Sequence, residues 1–184
     1  TWTSASNSNT NAVLTILTDD GDDTDSDTVA ITVNAVDDAP AFSAATTAVD
    51  AAENQQAVGT YTATDAESDT ITYAKSGTDS DLFSIGSSDG VLTFSSAPNF
   101  EAPGCGANDD SNTCTVIITA TASGGSDTNT ITVTVTNVND NSPTDMALSA
   151  ATAAENAAAG TDIGTLSTTD GDASGNSHVY TLVT

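Results

Sequence analysis

Apolar and hydroxyl side chains alternate strictly over Ile131-Thr132-Val133-Thr134-Val135-Thr136. A period of two buries one face of a β-strand and leaves the other in water. Val116-Ile117-Ile118-Thr119-Ala120 precedes it across the turn Gly124-Gly125-Ser126-Asp127, so the two segments predict a hairpin. Thr60-Tyr61-Thr62-Ala63, Ile71-Thr72-Tyr73 and Val91-Leu92-Thr93-Phe94 predict further strands. Short strands punctuated by turn residues predict an all-β protein, an antiparallel β-sandwich. The one helix-permissive stretch, Ala150 to Ala159, is read as loop and strand edge, because it carries an Ala-Glu-Asn triplet that occurs twice.

That triplet belongs to a repeat at a spacing of about 102 residues, the mark of a modular array. Val29-Ala30-Ile31-Thr32-Val33 returns as Ile131-Thr132-Val133-Thr134-Val135, and Ala52-Glu53-Asn54 as Ala154-Glu155-Asn156. Gly59-Thr60 and Asp65-Ala66-Glu67 return as Gly164-Thr165 and Asp170-Gly171-Asp172. Residues 41–142 therefore read as one complete domain. Residues 1–40 read as the C-terminal half of a similar domain and 143–184 as the N-terminal half of another. Each half alone leaves sheet edges and an apolar face unpaired. The tail of one chain and the head of the next would together make roughly one sandwich, about 20 residues short of a full repeat.

Charge narrows the function. The 184 residues carry a net charge of −25, with one lysine, Lys75, one histidine, His178, and no arginine. Nucleic-acid binding needs Lys and Arg against phosphate, and docking on anionic membranes needs the same charges, so both are excluded. A compact chain this acidic repels itself unless it stays disordered or binds cations. The period-two segments argue against disorder and leave bound cations as the favoured escape. No apolar run is long enough to span a membrane. Thr1-Trp2-Thr3 has neither the basic start nor the apolar run of a signal peptide, which suits a mature form or a segment of something longer. Two cysteines cannot build a four-ligand zinc site. A local disulfide between Cys105 and Cys114 is the expectation and implies an oxidising compartment, with two free thiols as the alternative.

The chemistry concentrates in Asn137-Val138-Asn139-Asp140-Asn141-Ser142-Pro143, where five oxygen-bearing side chains precede a proline. Ca²⁺ takes about six to eight hard oxygen ligands. This stretch resembles the Asp-x-Asn-Asp-Asn-x-Pro linker between cadherin repeats, with Asn137 at the first position. Other segments resemble bacterial cadherin-like repeats in the same order: Phe83-Ser84-Ile85 with Asp89-Gly90-Val91-Leu92, Asn99-Phe100-Glu101, Glu53, and Asp65-Ala66-Glu67 with Asp170-Gly171-Asp172. Leu17-Thr18-Asp19-Asp20-Gly21 resembles a further motif, whereas its counterpart has Ala122 in place of the ligand Asp.

The resemblance implies an antiparallel Greek-key β-sandwich, cadherin/immunoglobulin-like and in tandem, with Ca²⁺ at each junction between domains. At the second junction it implies Glu53 and Glu101 from the complete domain and Asn137, Asn139, Asp140 and Asn141 from the linker. Asp170 and Asp172 of the following domain join them, with Asp19 of a neighbouring copy completing the set. Asn99 and Asn137 each remove one negative charge, which implies fewer or weaker ions than in better-matched members. At the first junction it implies one or two ions held by Asp37, Asp38, Asp65 and Glu67. The acidic run Asp19 to Asp27 lacks the closing Glu of a calcium loop and reads as a solvated turn.

Catalysis is not expected. His178 sits in Gly175-Asn176-Ser177-His178, a loop in which a lone His reads as a surface residue. There is no phosphate loop, zinc motif or nucleophile elbow. The resulting expectation is a non-enzymatic extracellular or cell-surface structural protein. Its partner is itself: a calcium-rigidified subunit of a filament assembling head to tail, or adjacent repeats of one long adhesin stalk mediating adhesion. No Asn-x-Ser/Thr acceptor occurs, and O-linked glycans on exposed Ser and Thr suit such a fibre. The threonines of Thr132 and Thr134 read as ordinary β-propensity on a solvent face.

Overall fold

The computed structural model describes residues 10–108, 110–172 and 177–183. Thr1-Trp2-Thr3 and Gly175-Asn176 lie outside the described residues. The strands are β1 (Ala12–Asp19), β2 (Thr24–Ile31), β3 (Thr46–Ala52), β4 (Ala57–Thr60), β5 (Thr72–Ser76), β6 (Phe83–Ile85), β7 (Val91–Phe94), β8 (Thr113–Ala122), β9 (Gly125–Thr136), β10 (Thr144–Leu148) and β11 (Leu166–Thr169). Among the described residues no helix is long and apolar enough to cross a membrane.

Strands β3 to β9 pack a four-stranded sheet, in the order β3-β9-β8-β5, on a three-stranded sheet in the order β4-β7-β6. Alternation supplies the contact surface. In β8, Cys114, Val116, Ile118 and Ala120 face inward, and in β9, Asn129, Ile131, Val133 and Val135 do. Leu92, Phe83 and Phe94 come from the facing sheet, with the Phe83 and Phe94 rings stacked at 4.6 Å. Burying a side chain of this kind stabilises a domain by about 1.5–3 kcal/mol. The inward Asn129 has its amide satisfied, since it donates to Thr47 Oγ1 at 3.1 Å. Cys105 and Cys114 form the disulfide, with Cα atoms 4.8 Å apart.

Most ladders are antiparallel, but β3 runs parallel to β9 along Thr46↔Thr130 through Ala52↔Thr136. The expected strand over Thr60–Ala63 stops at Thr60. Beyond it, Tyr61 N–H donates to the Gly90 carbonyl and Ala63 N–H to the Tyr73 hydroxyl, so the backbone leaves the ladder. The 150–159 stretch forms neither helix nor strand.

The β1–β2 hairpin reproduces β8–β9 pair for pair. Ala12↔Ile31 corresponds to Cys114↔Val133, and Asp19↔Thr24 to Thr121↔Ser126. Their environments differ. Val116, Ile118 and Ile131 are 0% exposed, whereas their counterparts Leu14, Ile16 and Val29 are 49%, 49% and 45% exposed. Among the described residues β1 and β2 form a sheet of two strands, as do β10 and β11. Of the acidic run Asp19 to Asp27, only residues 20–23 form the exposed turn its sequence suggests; Asp19 ends β1, and Asp25 and Asp27 lie on β2, paired with it. Asp20 Oδ1 accepts the Asp22 and Asp23 N–H groups, and the hydrogen bond from Asp23 leads in holding its carboxyl below the usual range.

Candidate metal centre

β3 ends where its last ladder bond carries Glu53 into the junction: Glu53 N–H donates to the Thr136 carbonyl at 3.1 Å. The buried Glu53 carboxylate then accepts Phe100 N–H and Val138 N–H, each at 2.7 Å. One side chain thus ties the loop after β7 to the linker after β9. Asn99 Oδ1 accepts Glu101 N–H at 2.8 Å and Ala102 N–H at 3.2 Å, an Asx turn that presents Glu101. Asn112 donates to the Phe100 carbonyl at 2.9 Å from the far side of the same loop.

Glu53, Glu101 and Asp140 converge, with one carboxylate oxygen from each lying within 4.8 Å of the others. Both Glu101 oxygens and Asn137 Oδ1 are buried without a hydrogen-bond partner. An unpaired buried charge is costly. Burial pushes the Glu101 carboxyl above its ordinary value, and the like charges of Glu53, Asp172 and Asp140 push it the same way. The single Lys75 ammonium is engaged elsewhere, donating to the Ser80 carbonyl, and the single histidine, His178, lies on Asp170. An all-oxygen donor set with orphaned carboxylate and amide oxygens fits a hard divalent cation such as Ca²⁺.

The following segment clamps the linker. Asp172 Oδ1 accepts Asp140 N–H at 3.3 Å, its Oδ2 accepts Asn141 N–H at 3.1 Å, and the Asn141 amide donates to both Asp172 and Asp140. Asn139 is exposed. Asp170 accepts Asp172 N–H on one oxygen, and its other oxygen lies 3.1 Å from His178 Nε2. That hydrogen bond leads in lowering the Asp170 carboxyl below its ordinary range. His178 is therefore half-buried on Asp170 rather than a lone surface residue.

The first junction repeats the clamp. Glu67 Oε2 accepts Asp38 N–H at 3.0 Å, and Asp65 Oδ1 accepts Glu67 N–H and Asp69 N–H. Asp65 Oδ2 and Asp69 Oδ2 are buried without partners. Asp37 is exposed. Gly124 lets the linker lie close, since a Cβ there would collide with the Asp38 carbonyl. Asp19 accepts Gly21 N–H at 2.8 Å within the β1–β2 turn.

Three participants escaped sequence reading. Asn54 takes a left-handed φ of 63° and donates to Asp140 at 2.6 Å. It follows Glu53 inside the repeated triplet, which is the signal that pointed to it. Asp69 extends the Asp65-Ala66-Glu67 run by two residues, in step with its alternation. The pairing of His178 with Asp170 left no local signal.

Two packed sheets in this order, joined to a further segment through an acidic linker, define a cadherin-like fold. Solved structures that share it include the protocadherin GammaB4 extracellular domain, with 25% identity and a TM-score of 0.60 over 89% of this chain and 27% of that one. Drosophila N-cadherin EC1-4 is 25% identical with a TM-score of 0.57, covering 81% of this chain and 37% of that one. Human protocadherin-24 EC1-2 is 23% identical with a TM-score of 0.60, covering 76% and 62%. The chain thus spans 27% to 62% of the length of these structures. No protein-family model and no curated protein sequence matches it.

Proposed function

We propose that this chain is a non-enzymatic structural unit of an extracellular cadherin-like array, stiffened by Ca²⁺ at its junctions and joined head to tail to further copies of itself. The observation that carries the reading is the convergence of Glu53, Glu101 and Asp140, together with both Glu101 carboxylate oxygens and Asn137 Oδ1 buried without hydrogen-bond partners. These residues come from the domain base, the loop after β7 and the linker, and Asp172 brings in the next segment. Asn139, Asn141 and Asp170 stand at the same junction, and Asp37, Asp38, Asp65 and Glu67 at the other. A bound divalent ion cancels the mutual repulsion of such carboxylates and fixes the segments that supply them. Carboxylates facing one another across a linker suit a cation rather than a reaction. The Cys105–Cys114 disulfide supports an oxidising, extracellular setting.

Head-to-tail joining is supported by the β1–β2 hairpin, which has the register of a core hairpin and the exposure of an unfinished one. A second reading, one segment of a long adhesin stalk, is favoured by the short share of its structural relatives that the chain spans. Molecular mass under denaturing conditions separates the two. The calcium reading is tested by thermal unfolding in calcium and in EDTA. Wild type should gain several degrees in calcium, and Glu101→Gln should lose most of that gain without losing stability in EDTA. An equal gain in both proteins would overturn the site.

A further inference from the structure

We propose that Asn112, held in place by the Cys105–Cys114 disulfide loop, is a positioning residue for Glu101, so that a part of the chain supplying no ligand sets the affinity of the ion site. The proposal rests on the calcium reading of Glu53, Glu101 and Asp140. Among the described residues no hydrogen bond holds the Glu101 carboxylate, so its aim is set by its backbone. The peptide unit joining Phe100 to Glu101 is fixed at both ends. Its N–H donates to Asn99 Oδ1 at 2.8 Å, and its carbonyl accepts Asn112 Nδ2 at 2.9 Å. One peptide earlier, Phe100 N–H donates to Glu53. Asn99 travels with the loop it braces, and Glu53 is itself in the site. Asn112 is the partner that ties this peptide to the framework outside the site.

Asn112 can do so because it is anchored several times over. Its carbonyl accepts Val135 N–H at 2.8 Å, which seats it against β9. Its neighbour Ser111 exchanges both backbone hydrogen bonds with Cys105, each at 3.0 Å, and Cys114 closes the loop covalently onto Cys105. The buried Asp79 carboxylate grips the residue after each cysteine: Oδ1 accepts Gly106 N–H at 2.8 Å and Oδ2 accepts Thr115 N–H at 2.6 Å. Hydrogen bonds to a charged acceptor are roughly twice as strong as neutral ones. Both Asp79 oxygens are thus satisfied by backbone, unlike those of Glu101, which marks Asp79 as a brace and not a ligand. The support runs from Asp79 and the disulfide, through Asn112, to the peptide that aims Glu101. Partners that orient a metal's ligands typically change its affinity by about 10–100-fold when removed.

The test measures calcium dissociation constants of the full chain by isothermal titration calorimetry, beside denaturant unfolding in EDTA to establish that each variant is folded. The readout is the binding that Glu101→Gln removes. Asn112→Ala should weaken it about tenfold. Cys105→Ala with Cys114→Ala should weaken it to a similar degree, and all three changes together no further, because they cut one route. A merely structural role would lower stability in EDTA and leave the dissociation constant of the folded chain where it was. Unchanged affinity in folded Asn112→Ala overturns the positioning role and leaves the calcium site standing. Losses that multiply in the triple variant overturn the route through Asn112. Should Asn112→Ala not fold, the cysteine variant decides, by the same tenfold loss or none. If wild type and Glu101→Gln bind calcium alike, the site itself is wrong and this proposal falls with it.

Discussion

Glu101 concentrates the electrostatics of the junction in one residue. Its carboxyl is raised by burial and by Glu53, Asp172 and Asp140, so the folded chain holds that proton more tightly than the unfolded one. The stabilisation is complete below the ordinary glutamate value and is lost as pH rises through the raised one. In EDTA, denaturant unfolding should therefore show stability falling with pH across that window, and Glu101→Gln should flatten the fall. Saturating calcium should remove the dependence in wild type. Asp170 has the opposite sign: its lowered carboxyl stabilises above its ordinary value and loses that contribution as acid protonates it. The carboxylates of this site were legible in sequence because Glu53, Glu101 and Asp140 stand in motifs with fixed spacing. Asn54 and His178 were less so, since the first acts through a left-handed turn and the second through a contact made only once the chain is folded.

At the scale of elements, β7, β8 and β9 were written in the alternation of Val91-Leu92-Thr93-Phe94 and Ile131 to Thr136. β3 was not, because Thr46–Ala52 is an edge strand whose inward side chains are only Thr47, Val49 and Ala51, and its parallel pairing depends on where the chain runs. β6 has three residues, too few to show a period. A hairpin of two strands is marginal in water by itself. Amide hydrogen exchange on dilute chain should therefore find β1–β2 fast and β8–β9 slow despite their shared register, with β1–β2 slowing on assembly. Equal protection in the dilute chain would mean that the exposed face is already covered. In the complete domain, Ile118→Ala should cost about 2–5 kcal/mol by denaturant unfolding, as for a large-to-small change in a packed core. Replacing both cysteines by Ser should cost about 2–3 kcal/mol, the loop-closure entropy of a short loop.

For the whole molecule, a net charge of −25 with a single lysine sets the terms. Self-repulsion opposes compaction at low salt, and Glu53, Glu101 and Asp140 gather part of that charge into one place that could hold a divalent ion. The sandwich and the tandem arrangement were legible because apolar period and repeat spacing are local properties of the chain. Which buried oxygens would lack partners was not, because that depends on packing between distant segments. The account turns on calcium holding successive units in line, and electron microscopy of the native material in calcium and again in EDTA tests it most directly. Long thin fibres that are straight in calcium and soften or break in EDTA are the predicted result. Isolated particles indifferent to EDTA would contradict both the array and the role of the ion.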